Sequence, residues 1–295
     1  MSTAAQHRLQ AVSSSLSASA PGLLKGDVCI VTGAAQGIGR SCALLFAKEG
    51  GKVVVADLDA AKAQLVVDEI KKAGGEAIAI GGDVTAEDFP KKLVAETIKA
   101  FGSIEHILNN AGFTADKMLH TTDDSTYELM LKVHNVAPFR IIREAAPYMR
   151  SKDPKRIARN KSIINVSSTS GLHGNVGQVN YATAKAGVVG LTKTVAKEWG
   201  AFGVRCNTVA FGYIATRLTQ AKELGETIEV NGKKIALGIP SQGARKQTDT
   251  ERVPDIPLGR PGHPDEAAAA CLFLASPLAS YVSGHTLEVT GGKGI

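Results

Sequence analysis

The sequence predicts an α/β fold, a doubly wound, parallel, seven-stranded sheet in a single domain. Two observations predict it: short apolar runs alternate with longer stretches of helical periodicity, and a glycine-rich turn directly follows the first apolar run. Such alternation is typical of βαβ units, whose parallel strands are covered by helices on both faces. The apolar runs lie at 28–32, 53–56, 77–80, 104–108, 162–166, 204–209 and 286–289, and the helical stretches at 37–49, 60–73, 86–100, 124–150, 179–200 and 264–275.

The first predicted strand runs directly into Thr32-Gly33-Ala34-Ala35-Gln36-Gly37-Ile38-Gly39, and the first predicted helix follows. Gly33 allows a tight turn, Gly37 lets the backbone approach a pyrophosphate, and Gly39 lets the helix lie close to the sheet. The free N–H groups and partial positive charge of a helix N-terminus suit the same anion. Because these glycines lie between a strand and a helix, they predict dinucleotide binding in preference to a plain turn.

Polar or small residues also follow the next three strands. Asp57 ends the second strand, where a carboxylate accepts hydrogen bonds from ribose hydroxyls and repels a 2′-phosphate. Asp57 therefore favours NAD(H) over NADP(H), although the alternative of a simple helix cap stays open. The third strand is followed by Asp83-Val84, and the fourth by Asn109-Asn110-Ala111-Gly112, whose small residues would let a cofactor lie against the backbone.

The fifth apolar run, 162–166, is followed by Ser167-Ser168, and Tyr181 and Lys185 come later on a predicted helix. Residues four apart share one helix face, so the phenol and the ammonium are expected to be neighbours. A nearby ammonium lowers the pKa of a phenol, and this would make Tyr181 an acid or base usable near neutral pH. A hydroxyl from Ser168 would hold the substrate oxygen as charge develops on it. A Tyr-x-x-x-Lys spacing alone is equally compatible with a surface pair.

The segment at about 213–263 interrupts the alternation, since it is rich in glycine and proline and lies between the sixth strand and the last helix. Long connections in compact domains are often lids over functional sites. We expect this insert to cover the substrate and to contain a short helix of its own.

Composition and charge limit the other classes of protein to which the chain could belong. Of 295 residues, 44% are hydrophobic and 21% charged, which is enough to form a globular core. Much of the net charge of +6 lies in a basic segment at 150–161, which we expect to be a solvated surface loop. The segment contains no aromatic residues among its basic ones, so a nucleic-acid surface is not expected. Four widely spaced cysteines predict no metal site, and no apolar run is long enough to span a membrane.

Residues 1–25 are expected to form a flexible extension, and residues 26–295 a single catalytic domain. The first 24 residues contain no Asp or Glu. This composition weakly resembles a mitochondrial transit segment, so a matrix location stands as the alternative to a cytoplasmic one.

The combined motifs resemble the short-chain dehydrogenase/reductase family over residues 26–295. The resemblance rests on the glycine turn, Asp57, Asp83, the Asn109–Gly112 run, Asn135, Ser168, Tyr181, Lys185, Ser283-Gly284 and Gly291-Gly292. It implies a Rossmann-like sheet and hydride transfer between a nicotinamide dinucleotide and a carbonyl or alcohol. It also implies a catalytic tetrad of Asn135, Ser168, Tyr181 and Lys185, in which Tyr181 donates the proton, Ser168 orients the oxygen, Lys185 binds ribose and Asn135 holds a water.

The resemblance extends the cofactor site beyond the glycine turn. Phe211-Gly212 replaces the Pro-Gly pair that is frequent after the sixth strand in the family, whereas Gly212 and Thr216 still match. The residues implied to bind cofactor are Gly33, Gln36, Gly37, Ile38, Gly39, Asp57, Leu58, Asp83, Val84, Asn110, Ala111, Gly112, Tyr181, Lys185, Gly212, Ile214 and Thr216.

Within the family, residues 175–181 and 258–260 resemble the 3-oxoacyl-[acyl-carrier-protein] reductases. This implies a 3-oxoacyl thioester carried by acyl carrier protein or coenzyme A, and a homodimer or homotetramer. Asp57 keeps NAD-dependent hydroxyacyl, hydroxysteroid and polyol dehydrogenases open, because the biosynthetic reductases generally use NADPH. A dinucleotide-sensing protein without turnover is the alternative of another class.

Overall fold

The computed structural model describes residues 22–219, 225, 227–230, 233–236 and 253–294. Its strands are β1 (Val28–Thr32), β2 (Lys52–Asp57), β3 (Glu76–Gly81), β4 (His106–Asn109), β5 (Lys161–Ser168), β6 (Val204–Phe211), β7 (Thr227–Val230), β8 (Lys233–Ala236) and β9 (Thr286–Val289). Seven of them form one sheet in the order β3-β2-β1-β4-β5-β6-β9, and every pairing is parallel. The predicted fold class is confirmed.

The helices are α1 (Gly37–Lys48), α2 (Ala60–Lys72), α3 (Phe89–Phe101), α4 (Asp124–Leu131), α5 (Ala137–Met149), α6 (Pro154–Ile157), α7 (Thr169–His173), α8 (Val179–Trp199) and α9 (Pro264–Ala275). The stretch predicted as one helix at 124–150 is interrupted, because a π-helical turn at Lys132–Val136 joins α4 to α5. Within the described ranges, no helix combines the length and the apolar character that crossing a bilayer requires.

Apolar side chains on both faces of the sheet pack against the helices that cover it. In β2, Val53 and Val55 belong to the core beneath α1, α2 and α9, whereas Val54 and Ala56 belong to the core beneath α3, α5 and α8. This period-two alternation between two buried faces explains why the strand reads as an uninterrupted apolar run. The domain is therefore a three-layer sandwich with the sheet in the middle.

The strand order places a switch point between β1 and β4. After β1 the chain builds outward through β2 and β3, and it then crosses to the other side of β1 to form β4. Connections that leave two adjacent strands in opposite directions open a crevice at the carboxyl ends of those strands. The glycine turn after β1 and the loop after β4 border this crevice.

Two segments differ from the predicted boundaries. Residues 22–25 fall in the predicted flexible extension but pack on the domain, since Leu24 is fully buried and the N–H groups of Gly22 and Leu23 donate to the Glu49 carboxylate. In the predicted insert, the described part contains a 3₁₀ turn at Arg217–Thr219 and the antiparallel hairpin β7–β8, which the sequence did not predict. Residues 1–21 of the extension and 220–224, 226, 231–232 and 237–252 of the insert lie outside the described residues.

The basic segment at 150–161 is only partly a solvated loop. Lys161 begins β5 and is 3% exposed, and its ammonium donates to the backbone oxygens of Met149 and Phe202. Arg159 forms an ion pair with the buried carboxylate of Glu105 at 2.7 Å. The expectation failed at these two residues because charge density alone does not distinguish a solvated cation from one that binds buried carbonyl oxygens.

We expect Lys161→Ala to lower the free energy of unfolding by about 2 kcal/mol or more, because it removes the ammonium that donates to the Met149 oxygen in a buried hydrogen bond and to the Phe202 oxygen in a partly buried one. Chemical denaturation monitored by circular dichroism measures this change. Lys152→Ala is the matched control, since it removes an exposed lysine of the same segment, and we expect it to change stability by no more than about 0.5 kcal/mol. Equal stability of the two variants would show that the ammonium of Lys161 contributes nothing.

Candidate active site

The glycine turn is packed too closely for side chains at two of its positions. A Cβ on Gly39 would lie 2.1 Å from the carbonyl oxygen of Gly33, and a Cβ on Gly33 would lie 2.7 Å from the Cα of Ala111. Gly37 has a φ of +54°, in the left-handed region that glycine adopts most readily. The turn therefore lets α1 begin directly against β1 and the loop after β4.

Side chains join this turn to the loop after β4. The amide of Asn110 donates to the carbonyl oxygens of Thr32 and Gly33, each at 3.0 Å. In return, the Thr32 hydroxyl accepts from the backbone N–H groups of Asn110 and Ala111, each at 3.1 Å. These four hydrogen bonds fix the two sides of the crevice relative to each other.

The carboxylate of Asp57 is held by backbone donors at the end of β2. It accepts hydrogen bonds from the N–H of Ala35 at 2.9 Å and of Asp59 at 3.0 Å. At the end of β3, one oxygen of Asp83 accepts from both the N–H and the hydroxyl of Thr85 at 2.8 Å. Both carboxylates are thus oriented before any ligand binds.

These groups border a nucleotide-sized cleft with a cavity volume of about 160 Å³. Twelve of the residues that the sequence indicated for cofactor binding line it: Gly33, Gln36, Gly37, Ile38, Asp57, Leu58, Asp83, Val84, Asn110, Ala111, Gly112 and Thr216. Gly39 is not among the lining residues, because it lies where α1 packs directly on the backbone of Gly33. Sequence reasoning missed Gly82, Phe113, Val133 and Arg217, which also line the cleft.

A second cavity of about 370 Å³ adjoins the first. It is lined by the predicted residues Ser168, Tyr181, Lys185, Gly212, Ile214 and Thr216. The two cavities share five lining residues: Ile38, Asn110, Gly112, Phe113 and Thr216. The glycine turn and the Tyr181–Lys185 pair therefore border one continuous crevice.

Tyr181 lies on α8 facing this second cavity, which we call the reaction chamber. Burial raises the pKa of Tyr181 to about 12, and a hydrogen bond with the Ser168 side chain opposes that rise. The carboxylate of Asp116 on the chamber wall adds to the rise. The expected lowering of the Tyr181 pKa is therefore not found, because desolvation of a phenolate outweighs the contributions that favour it.

Lys185 occupies the floor of the chamber, one helical turn beyond Tyr181. Its ammonium donates to the carbonyl oxygen of Val166 at 2.7 Å and lies 5.6 Å from the centre of the Tyr181 ring. Burial lowers the pKa of Lys185 to about 7. The lysine thus contacts the tyrosine through the ring face, while its hydrogen bond to Val166 anchors it to β5.

The two serines at the end of β5 have different environments. The Ser167 hydroxyl donates to the backbone oxygen of Lys185 at 2.7 Å, which fastens β5 to α8. The Ser168 oxygen accepts from the N–H of Ser170 at 3.1 Å and caps α7, while the same side chain reaches Tyr181. Ser168 is therefore the serine whose hydroxyl is placed beside the phenol.

Asn135 lies in the π-helical turn and not on the chamber surface. Its amide packs against Gly187 on α8, where a Cβ would lie 2.8 Å from the amide nitrogen, and its buried carbonyl oxygen has no hydrogen-bond partner in the described part of the chain. The chamber is lined instead by its neighbour His134, which sequence reasoning missed. The sequence shows a histidine directly before the candidate Asn135, but no motif marks that histidine as functional.

Comparison with known proteins agrees with this geometry. A family model described as short chain dehydrogenase matches residues 27–227, and one described as Enoyl-(Acyl carrier protein) reductase matches residues 234–293. This chain belongs to the short-chain dehydrogenase/reductase family. As a member, it is an oxidoreductase that uses a nicotinamide dinucleotide to interconvert a carbonyl and an alcohol.

Three relatives of this chain are named as 3-oxoacyl-[acyl-carrier-protein] reductases. The protein from Thermotoga maritima is 37% identical over 269 residues, which cover 91% of this chain and 98% of that protein. The relative from Staphylococcus aureus is 36% identical, with coverage of 89% and 96%. The relative from a Synechocystis species is 36% identical, with coverage of 91% and 97%.

The residues of the cleft fit a dinucleotide. The α1 N-terminus has no side-chain cap at Gln36, so its first N–H groups are available to an anion, and Gly37 adds no side chain between them and the cleft. Asp57 borders the same cleft with its carboxylate already oriented. The donor set therefore suits a pyrophosphate beside a ribose.

We expect Gly39→Ala to weaken NADH binding by about tenfold or more, because the new Cβ would displace α1 from the turn that binds the pyrophosphate. Fluorescence titration of NADH measures the effect. Gly190→Ala on α8 is the matched control, since no atom lies within 4 Å of its Cβ position. It should leave NADH binding unchanged, and wild-type affinity in Gly39→Ala would refute the packing argument.

Proposed function

We propose that this enzyme reduces the 3-oxo group of a 3-oxoacyl thioester, or oxidises the corresponding 3-hydroxyacyl thioester, with NAD(H) as its cofactor. The observation that carries the proposal is the contiguity of the dinucleotide cleft with a chamber bearing Ser168, Tyr181 and Lys185. The names of the three relatives support the thioester class and an acyl carrier protein or coenzyme A as the carrier.

The wall of the chamber opposite the cofactor cleft is polar. Gln178 donates to both oxygens of Asp116 at 3.0 and 3.1 Å, and its own oxygen accepts from Ser170 and Asn175. These side chains satisfy one another, so they form a rigid wall rather than a set of free charges. Such a wall suits a substrate whose reacting end is polar and whose chain extends toward the insert.

A dihydronicotinamide held in the cleft would supply the hydride for the reduction. Tyr181 donates its phenolic proton to the substrate oxygen, and its high pKa keeps that proton in place until the oxygen develops negative charge. Ser168 donates a hydrogen bond to the same oxygen and stabilises the charge. Lys185 would hold the ribose next to a bound nicotinamide, and the buried amide oxygen of Asn135, which has no hydrogen-bond partner in the described part of the chain, would accept from a water that supports Lys185.

The charges along the cleft support NAD(H) over NADP(H). Asp57 and Asp83 are the carboxylates that line it, Gln36 in the glycine turn is neutral, and Arg217 is the one basic residue among its described lining residues. A 2′-phosphate beside Asp57 would place like charges together, and Arg217 is the one described lining residue whose charge could offset them. The same carboxylate favours the second candidate function, an NAD-dependent hydroxyacyl, hydroxysteroid or polyol dehydrogenase.

Tyr181→Phe should lower kcat by about two to four orders of magnitude, because the variant removes the proton that is transferred in the reaction. Steady-state oxidation of NADH with acetoacetyl-coenzyme A, a steroid ketone and a keto sugar measures turnover and substrate class together. The NADH dissociation constant should change less than about threefold, since the ring remains.

Tyr148→Phe is the control for the loss of a hydroxyl, because Tyr148 lies on α5 outside the chamber. Turnover by Tyr181→Phe at the wild-type rate would remove the phenol from the mechanism. Turnover of the steroid or sugar with no turnover of the thioester would move the proposal to the second candidate.

Asp57→Asn should change the ratio of NADPH to NADH affinity by about tenfold or more in favour of NADPH, because it removes the charge that repels a 2′-phosphate. Parallel titrations with the two reduced cofactors measure the ratio. Asp59→Asn is the control, as Asp59 lies two residues further and caps α2 from the surface. A wild-type protein that already prefers NADPH would contradict the assignment.

A further inference from the structure

His134 is a buried residue whose imidazole ring packs against the ring of Tyr181. It lies in the π-helical turn between α4 and α5, is 2% exposed, and lines the reaction chamber. Its ring and that of Tyr181 are perpendicular, with centres 5.2 Å apart. This is the edge-to-face geometry that aromatic pairs prefer, and it restricts how far the tyrosine ring can tilt.

A hydrogen bond fixes the imidazole itself. Nε2 of His134 lies 2.9 Å from the backbone oxygen of Phe113, which can only accept. Burial and the nearby charge of Lys185 hold the pKa of His134 well below its ordinary value, so the ring is neutral and carries one proton. That proton must be on Nε2, because a carbonyl oxygen cannot bond to an unprotonated ring nitrogen.

The other side of the ring packs against the cofactor loop. A Cβ on Gly112 would lie 2.2 Å from Cε1 and 2.7 Å from Nδ1 of His134, so the imidazole occupies the space that any side chain at position 112 would need. Nδ1 is buried and has no hydrogen-bond partner in the described part of the protein. The loop after β4 therefore contacts the imidazole through both Gly112 and Phe113.

The imidazole thus touches two parts of the site that come from different strands. Gly112 borders both the dinucleotide cleft and the reaction chamber, while Tyr181 comes from α8 on the far side of the chamber. The π-helical turn is what brings His134 between them, since such turns displace side chains from the helical repeat and are frequent at functional sites.

We propose that His134 is a positioning residue, whose neutral imidazole, anchored to Phe113 and packed on Gly112, holds the Tyr181 ring at a fixed place relative to the cofactor loop. The inference rests on the proposed role of Tyr181 as proton donor. Transfer of hydride and proton to one carbonyl requires both donors to be aligned, and misplacement by about 1 Å costs up to about a hundredfold in rate. The imidazole sets this alignment through its contact with the Tyr181 ring.

Two substitutions separate the ring contact from its anchor. His134→Gln retains an amide donor for the Phe113 oxygen but removes the ring, and we expect kcat to fall by about tenfold or more. His134→Phe keeps a ring against Tyr181 without the anchor, and we expect a smaller loss of about threefold. The KM and the NADH dissociation constant should stay within about twofold in both variants, because the residue acts on the transition state.

His120→Gln serves as the matched control, since this exposed histidine lies on the 3₁₀ turn at Leu119–Thr121. Thermal unfolding of each variant is recorded as well, because a purely structural role would lower Tm and cofactor affinity together with kcat. Wild-type kcat in His134→Gln, or losses of kcat that track losses of NADH affinity and Tm, would overturn the proposal.

A double-mutant cycle with Tyr181→Phe gives the decisive comparison. If His134 acts through the phenol, His134→Gln should lower the residual rate of Tyr181→Phe by less than about twofold. Full additivity would exclude action through Tyr181. Failure of the proposed function is distinguishable, since in that case Tyr181→Phe alone would retain wild-type turnover.

Discussion

Close contact between the glycine turn after β1 and the loop after β4 is the constraint on which the rest of the site depends. At Gly39 the helix lies so near the turn that even a methyl group would overlap the Gly33 oxygen. The amide of Asn110 then spans the switch point and donates to two carbonyl oxygens of the opposite strand end. These contacts join the two strand ends, so the place of the dinucleotide cleft and the place of the chamber are set together.

Burial is the common cause of the electrostatics in the chamber. It raises the pKa of Tyr181 and lowers the pKa of Lys185, so it shifts both groups toward their neutral forms. A neutral phenol is the form that can give a proton to a carbonyl oxygen, which suits reduction. Oxidation needs the phenol to accept a proton as phenolate, which is the form that burial disfavours. His134 fits the same pattern, because it too is kept neutral by burial.

The sequence predicted the sheet and most of the residues that line the dinucleotide cleft, because both depend on local sequence patterns. Alternating apolar positions, such as Val53 to Ala56, predict a strand with two buried faces, and glycines between a strand and a helix predict an anion site. Strand ends were less predictable. Strand β5 continues to Ser168 because Ser168 pairs with Phe211 of β6, and this pairing has no local signal.

The π-helical turn could not be predicted, and the environment of His134 and Asn135 was lost with it. Residues 132–136 contain neither proline nor glycine, and the apolar periodicity continues through them. The space that these side chains occupy is provided by Gly112 and Gly187, far away in sequence. Only the tertiary structure relates the glycines to the side chains they accommodate.

Strand β5 illustrates why position, more than residue type, decides function in this fold. At its amino end, Ser162, His106 and Asp27 form a hydrogen-bonded series with distances of 2.9 and 3.0 Å, the residue types of a hydrolytic triad. Ser162 is fully buried, so its hydroxyl cannot meet a substrate, and the series serves to join β4 and β5 at the closed edge of the sheet. Six residues later, Ser168 has a plainer environment, yet it opens on the crevice where the cofactor loop and Tyr181 meet. A hydroxyl at the carboxyl edge of a parallel sheet can meet a ligand, because connections that leave adjacent strands in opposite directions open a crevice there.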